Sequence, residues 1–239
     1  MTPFSGIRAR AAERKGGEAA MQALLPPAPD NAALARIPDH RYLAEMAKRI
    51  FCAGFVWKVV EKRWPGFEEA FLGFEPKPLL FQPDEFWERL TGDSRIIRNG
   101  QKIMAVRGNA QFVADIADEH GSFGAFLANW PATDQTGLLD LLAKRGKRLG
   151  GNTGQYFLRF VGRDCWIVSN DVAACLRDAG LDIAEKPSSK GDLKKIEAQF
   201  NAWAEETGLP LTHLSRICAM SAGENYDAET LRERMGPDD

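Results

Sequence analysis

The segment Lys144-Arg145-Gly146-Lys147-Arg148-Leu149-Gly150-Gly151-Asn152-Thr153 gathers four cations and three glycines within ten residues. Helical apolar spacing on both sides, Leu138 to Ala143 and Thr153 to Val161, makes it a turn between two helices. The N–H groups that lead into the second helix have no intrahelical acceptor and stand at the positive end of its dipole. Such a turn can hold a phosphate with backbone alone, while Lys and Arg add point charges. The contact would carry no base identity. A second block, Arg95-Ile96-Ile97-Arg98-Asn99-Gly100-Gln101-Lys102, also precedes a helix. An ordinary helix connection with glycine C-caps fits the first segment equally well.

The overall balance hides these blocks. The 239-residue chain carries 31 Lys+Arg against 33 Asp+Glu, a net charge of −2 that by itself argues against a nucleic-acid binder. Six acids and two arginines between Gly223 and Asp239 account for −4. Two stretches contain no acid: Arg95, Arg98, Lys102 and Arg107, then Lys144, Arg145, Lys147, Arg148, Arg159 and Arg163. A composition 44% hydrophobic and 27% charged excludes a wholly disordered chain. No apolar run approaches the roughly 18 residues of a membrane span, and there is no signal-peptide layout, so a cytoplasmic protein without membrane contact is expected. Cys52, Cys165, Cys175 and Cys218 read as buried thiols.

The elements that must position these residues are helical. Ile7 to Leu25 is a helix interrupted at Gly16-Gly17 and closed by Pro26-Pro27-Ala28-Pro29. Arg41 to Trp64 reads as one long element with Leu43, Met46, Ala47, Ile50, Ala53, Trp57 and Val60 on one face, Asp39 as N-cap and Pro65-Gly66 as its end. Prolines 76, 78 and 83 mark a loop. Asp84 to Leu90, Ile103 to Glu119, Phe123 to Trp130, Asn170 to Ala179, Asp192 to Thr207 and Leu211 to Ala222 continue a series of about ten helices. Cys165 to Val168 is the one β-like piece, short enough for an extended linker. The expected class is all-α: an N-terminal arm (1–39, a docked helix or a partly mobile extension), a helical domain (40–222) and an acidic tail (223–239).

Three segments in order resemble the DNA-3-methyladenine glycosylase I family of the helix–hairpin–helix glycosylases. Ala53-Gly54-Phe55-Val56-Trp57 is similar to its Ala-Gly-Leu-Ser-Trp. Ile96-Ile97-Arg98, then Lys102-Ile103, then Gly108-Asn109-Ala110 follow its Ile-Ile-Arg, Lys-Ile and Gly-Asn-Ala. Lys144-Arg145-Gly146 with Gly151, Thr153 and Tyr156 is similar to its hairpin. The likeness spans roughly residues 41 to 172.

The resemblance implies a helix–hairpin–helix bundle that binds double-stranded DNA as a monomer, flips a damaged base out of the stack and releases it by hydrolysis. Its expected substrate is an alkylated purine, 3-methyladenine first, with no cofactor. A cationic methylated base needs a π face more than an acid. Trp57 is the implied stacking residue, though a core tryptophan fits it as well. Phe55 and Tyr156 border the same pocket. The family's base-recognising glutamate falls at or next to Arg49, and the glutamine before its alanine becomes Cys52, which puts base specificity in question.

Asp171 is the implied carboxylate, with Ser169 the alternative under another alignment. A capping Ser169 or Asn170 beside a harmless first-turn Asp171 is the plain structural reading. Glu45 and Glu61 read as solvent-facing. The implied DNA-contacting set is Arg98, Lys102, Lys144, Arg145, Gly146, Lys147, Arg148, Gly150, Gly151, Asn152 and Thr153. No metal is expected: His40, His120 and His213 lie far from one another and from the cysteines, so the family's zinc ligands have no counterpart. A DNA-binding protein without chemistry, and a glycosylase with a shifted base preference, stand as alternatives.

Overall fold

The computed structural model describes residues 3–227 and 230, and among them the chain is all-α, with fifteen α-helices, one short 3-10 turn and no strand. It divides into two compact units: Asp30–Arg163, and the segments before and after it together. This division differs from the arm, domain and tail expected from composition. Of the acidic tail, residues 228, 229 and 231–239 lie outside the described residues.

The 30–163 unit holds α3 (Asn31–Arg36), α4 (Asp39–Cys52), α5 (Trp57–Lys62), α6 (Trp64–Ala70), α7 (Pro76–Leu80), α8 (Asp84–Leu90), α9 (Gly100–His120), α10 (Phe123–Asn129), α11 (Gln135–Arg145) and α12 (Asn152–Phe160). Its core forms where α4 packs on α9. Tyr42, Leu43, Met46, Ile50 and Phe51 of α4 and Ile103, Val106, Ala110, Val113 and Ile116 of α9 are all buried. Helical spacing on both sequences predicts this stripe. Phe51, Phe67, Phe71, Phe74 and Trp64 extend it as an aromatic cluster with ring centroids 4.7–6.5 Å apart.

The long element expected from Arg41 to Trp64 is two helices. Ala53 turns extended, Gly54 adopts φ +77°, and α5 starts at Trp57. The apolar rhythm carries across this turn, which is why periodicity alone reads it as continuous. Pro65-Gly66 does not end that element but lies in the first turn of α6. Likewise Pro76 starts α7 in the segment expected to be a loop, because a first-turn proline gives up an N–H that has no partner anyway. Asp39 is the first residue of α4, not its cap; its Oδ1 accepts from Phe123 N at 2.8 Å, and Ser122 caps α10 through Ala125 N.

The second unit contains α1 (Phe4–Arg14), α2 (Glu18–Gln22), α13 (Asn170–Asp178), α14 (Lys190–Thr207) and α15 (Leu211–Ser221). The N-terminal segment is a docked helix: Phe4, Ile7 and Ala11 are buried, and Phe4 packs on Trp203 at 5.3 Å. Arg14 donates to the carbonyls of Met220, Ala222 and Gly223, capping α15 at its negative end. Asp164 caps the other end through Leu211 N and Thr212 N. Cys165 to Val168 is extended without forming a strand. All four cysteines are buried and free.

Candidate functional site

In the 30–163 unit, α11 and α12 flank the turn Gly146–Gly151. Tight packing shapes it. A Cβ on Gly146 would lie 2.6 Å from Leu149 Cδ1 and 2.7 Å from the Leu142 carbonyl oxygen, and one on Gly154 would strike the Leu149 carbonyl. Arg148 has φ +59° and Gly151, at the N-cap of α12, φ +58°. Such a left-handed backbone is costly for Arg and free for Gly. Lys147, Arg148, Gly150, Gly151 and Asn152 are exposed, with Thr153 half-buried.

The turn is held from α9. Asn109, fully buried, donates through Nδ2 to the Lys147 carbonyl at 3.0 Å and accepts from Lys147 N at 2.7 Å. Gly108 beside it admits the Lys147 side chain, whose Cγ would be 2.5 Å from an added Cβ. The Gly108-Asn109-Ala110 motif thus has a positional task that sequence reading missed: it clamps a backbone turn 38 residues away. A buried Asn flanked by Gly and Ala on an apolar helix face was the available signal.

The basic blocks separate into engaged and exposed cations. Lys144 pairs with Asp140 at 2.8 Å, and Arg145 makes two bonds to Glu119, at 2.7 and 2.9 Å. Arg163 is buried and donates to the carbonyls of Leu127 and Trp130. In the first block Arg95 is bound by Asp93 and Glu69, and Arg107 by Asp84 at 2.7 Å. Stretches free of acid in sequence therefore meet acids in space. Arg98 is exposed. Lys102 corrects the expected phosphate contact: it is buried, and its Nζ donates to the carbonyls of Phe51 and Ala53 at 3.2 and 2.6 Å. It closes the C-terminus of α4, and burial first, then the nearby Arg148 charge, lowers its pKa. Its ammonium lies 4.6 Å from the Phe55 ring, which is 44% exposed.

A second focus lies where α4, α5 and α12 meet. Trp57, half-buried at the start of α5, packs edge-on against Tyr156 (5.3 Å) and Phe160 (5.6 Å), which are four residues apart on α12. The Arg49 guanidinium fills the centre. Its Cζ is 3.9 Å from the Phe160 ring centroid and 4.8 Å from that of Trp57. Arg49 is only 3% exposed. Glu45, one turn earlier on α4, brings Oε1 to 2.6 Å from Arg49 Nε. Nη1 of Arg49 has no hydrogen-bond acceptor among the described residues. Glu45 is not solvent-facing as expected: its side chain is 19% exposed, and burial raises its pKa against the pull of Arg49. Cys52 is buried, its thiol pushed up by the same burial with Arg49 opposing. Sequence reading missed Phe160 and placed Glu45 in solvent; their i,i+4 relation to Tyr156 and Arg49 was the available signal.

Asp171 belongs to the other unit. It sits in the first turn of α13, which Ser169 caps by accepting from Val172 N at 3.2 Å. A Cβ on Gly223 (φ +67°) would collide with the Asp171 carboxylate, so glycine there lets the two segments close. Among the described residues no group of three or more His, Cys, Asp or Glu is placed to hold a metal ion, and no helix is long and apolar enough to cross a membrane.

Residues 36–139 match the family model described as methyladenine glycosylase. Over this stretch the chain is similar to the methyladenine glycosylase family. The matched segment contains Arg49, Cys52, Phe55, Trp57, Arg98, Lys102 and Asn109; the hairpin turn and Asp171 follow it. Among solved structures, 3-methyladenine DNA glycosylase I from Staphylococcus aureus is 25% identical, with 52% of this chain and 77% of that one covered and a TM-score of 0.48. A 3-methyladenine DNA glycosylase I in complex with 3-methyladenine is 24% identical over 68% and 87% of the two chains, TM-score 0.47. The 8-oxoguanine glycosylase/lyase from Methanocaldococcus jannaschii, in complex with DNA, is 18% identical over 90% and 88%, TM-score 0.45. No protein of curated function is significantly similar in sequence.

Proposed function

We propose that this protein is a DNA glycosylase of base-excision repair. It binds double-stranded DNA through the turn between α11 and α12 and hydrolyses the bond between a damaged purine and its sugar. One observation carries the reading. The segment similar to methyladenine glycosylases supplies both Trp57 in an aromatic cluster and Asn109, which holds an exposed, cationic turn at the N-terminus of α12.

In this reading the Gly150–Thr153 backbone and the dipole of α12 hold a phosphate, with Lys147 and Arg148 adding charge. The flipped base enters at Trp57, Phe55 and Tyr156, and the carboxylate that the family likeness suggests is Asp171. Lys102 spends its ammonium on two carbonyls, which favours simple hydrolysis over a Schiff-base step. Alkylated purines, with 3-methyladenine foremost, are the substrates that the family likeness suggests. Arg49 favours a second reading, a glycosylase with shifted base preference, because it puts a fixed cation where a cationic base would stack.

The test is to incubate the protein with methylated and with deaminated genomic DNA and to chromatograph the released bases. A free purine together with abasic sites supports the glycosylase. Salt-sensitive DNA binding with no base released overturns it in favour of a binding protein without chemistry.

A further inference from the structure

The second unit holds a side-chain cluster that DNA binding and base release do not use. Cys175 on α13 and Cys218 on α15 are both fully buried, and α13 packs on α15. Their thiols are hydrogen-bonded to each other, with Cys218 as the donor. Two further groups face the Cys175 sulfur. Arg10 of α1 brings Nη2 to 4.0 Å. Ser221 Oγ, at 3.2 Å, shares its one proton between this sulfur and the Cys218 carbonyl at 2.9 Å. A sulfur that meets a guanidinium and neighbouring donors is held toward the thiolate.

These contacts, that from Cys218 first, lower the Cys175 pKa against the effect of burial, while burial pushes the Cys218 thiol up. The pair is therefore asymmetric: Cys175 is the nucleophile, and Cys218 is a protonated thiol in contact with it. Cys52 marks the contrast, because burial pushes its thiol up.

We propose that Cys175 and Cys218 form an oxidisable dithiol, a modification site at which hydrogen peroxide converts Cys175 to a sulfenic acid that Cys218 resolves to a disulfide. In the first step the Cys175 thiolate attacks one peroxide oxygen, so the S–O bond forms as the O–O bond breaks. The other oxygen leaves as hydroxide and takes up the proton that Cys175 gave up, forming water. In the second step the Cys218 sulfur attacks the sulfenic sulfur, the S–S bond forms and the S–O bond breaks. The departing hydroxide takes the Cys218 proton as a second water. Two thiols thus lose two electrons to one peroxide. Sulfurs already in hydrogen-bond contact have only to close to the roughly 2.05 Å of a disulfide. The route in runs beside Arg10, an exposed residue whose guanidinium reaches the sulfur, and it suits an oxidant near water in size.

The test treats the folded, full-length protein with hydrogen peroxide, blocks the remaining thiols and maps the peptides by mass spectrometry, with circular dichroism to check the fold. One intrachain disulfide between Cys175 and Cys218 is expected, with Cys52 and Cys165 still reduced and all four thiols restored by dithiothreitol. In Cys218→Ser the reaction should stop at a sulfenic acid on Cys175, which dimedone traps. In Cys175→Ser, Cys218 should stay reduced. Arg10→Gln should slow disulfide formation roughly tenfold, the effect of about one pKa unit on the thiolate fraction. Four reduced cysteines in the folded wild type overturn the proposal, as does oxidation of Cys52 or Cys165 in place of this pair. Oxidation of Cys218 at an unchanged rate in Cys175→Ser overturns it too. The wild-type peptide map decides alone if the variants do not fold.

Discussion

At the α11–α12 turn Lys147 and Arg148 stand in solvent, and the groups that fix the geometry are neutral: Asn109 on the Lys147 backbone and glycines where a side chain would collide. At the Trp57–Tyr156–Phe160 cluster the arrangement is reversed. The cation Arg49 is buried, and two aromatic rings and one carboxylate fix it. An exposed cation beside a rigid backbone is available to any phosphate, with affinity that falls as salt rises. A buried cation is committed to its neighbours. The two regions show that similar residues stay available or are committed according to what surrounds them.

The sharpest way to break this contrast is to remove the buried cation. Arg49→Met leaves Glu45 unpaired in an apolar place and should cost about 3–5 kcal/mol at neutral pH. A carboxyl whose pKa is raised by burial destabilises the fold once it ionises. The loss should therefore shrink on acidification and grow as pH rises through the Glu45 titration. Urea melts at pH 5 and pH 8 check this, and an equal loss at both would mean that Glu45 is not the stranded group.

Next in size is Asn109→Ala, which removes both bonds to the Lys147 backbone. A stability loss of about 2 kcal/mol is expected, one for each hydrogen bond, together with weaker DNA binding. Unchanged binding in the folded variant would detach the turn from the DNA contact. Lys147→Ala and Arg148→Ala should leave stability within about 0.5 kcal/mol, since both side chains are exposed. Each should lower the log–log salt slope of DNA binding by about one. Titrations at several salt concentrations measure it. The smallest effect is expected for Arg95→Ala: with Asp93 and Glu69 already on its guanidinium, its salt slope should match the wild type.

Much of the helical content was legible because apolar spacing is a local signal. Asp84–Leu90 forms as spaced, and α9, α12 and α15 begin or end within a few residues of the periodic runs. Boundaries failed where local chemistry was ambiguous. The α4–α5 break at Gly54 interrupts no apolar rhythm, and Pro76 starts a helix in a segment that looked like a loop. The site was legible as a set of positions. Arg49, Trp57 and Tyr156 were grouped through the resemblance alone, and they meet. Lys102 was misjudged because the carbonyls that claim its ammonium lie about fifty residues away, at Phe51 and Ala53.

By itself the sequence determined that the chain is helical, where apolar faces recur and which turn carries glycines among cations, since each depends on neighbours within a few positions. Only the tertiary structure decided which cations stay exposed and which are spent. Arg95, Arg107 and Arg145 find acids on other helices, and Arg49 finds two rings and Glu45. The reason is physical. The energy of a charge depends on the dielectric and on partners within a few ångströms, and those partners are chosen by chain folding.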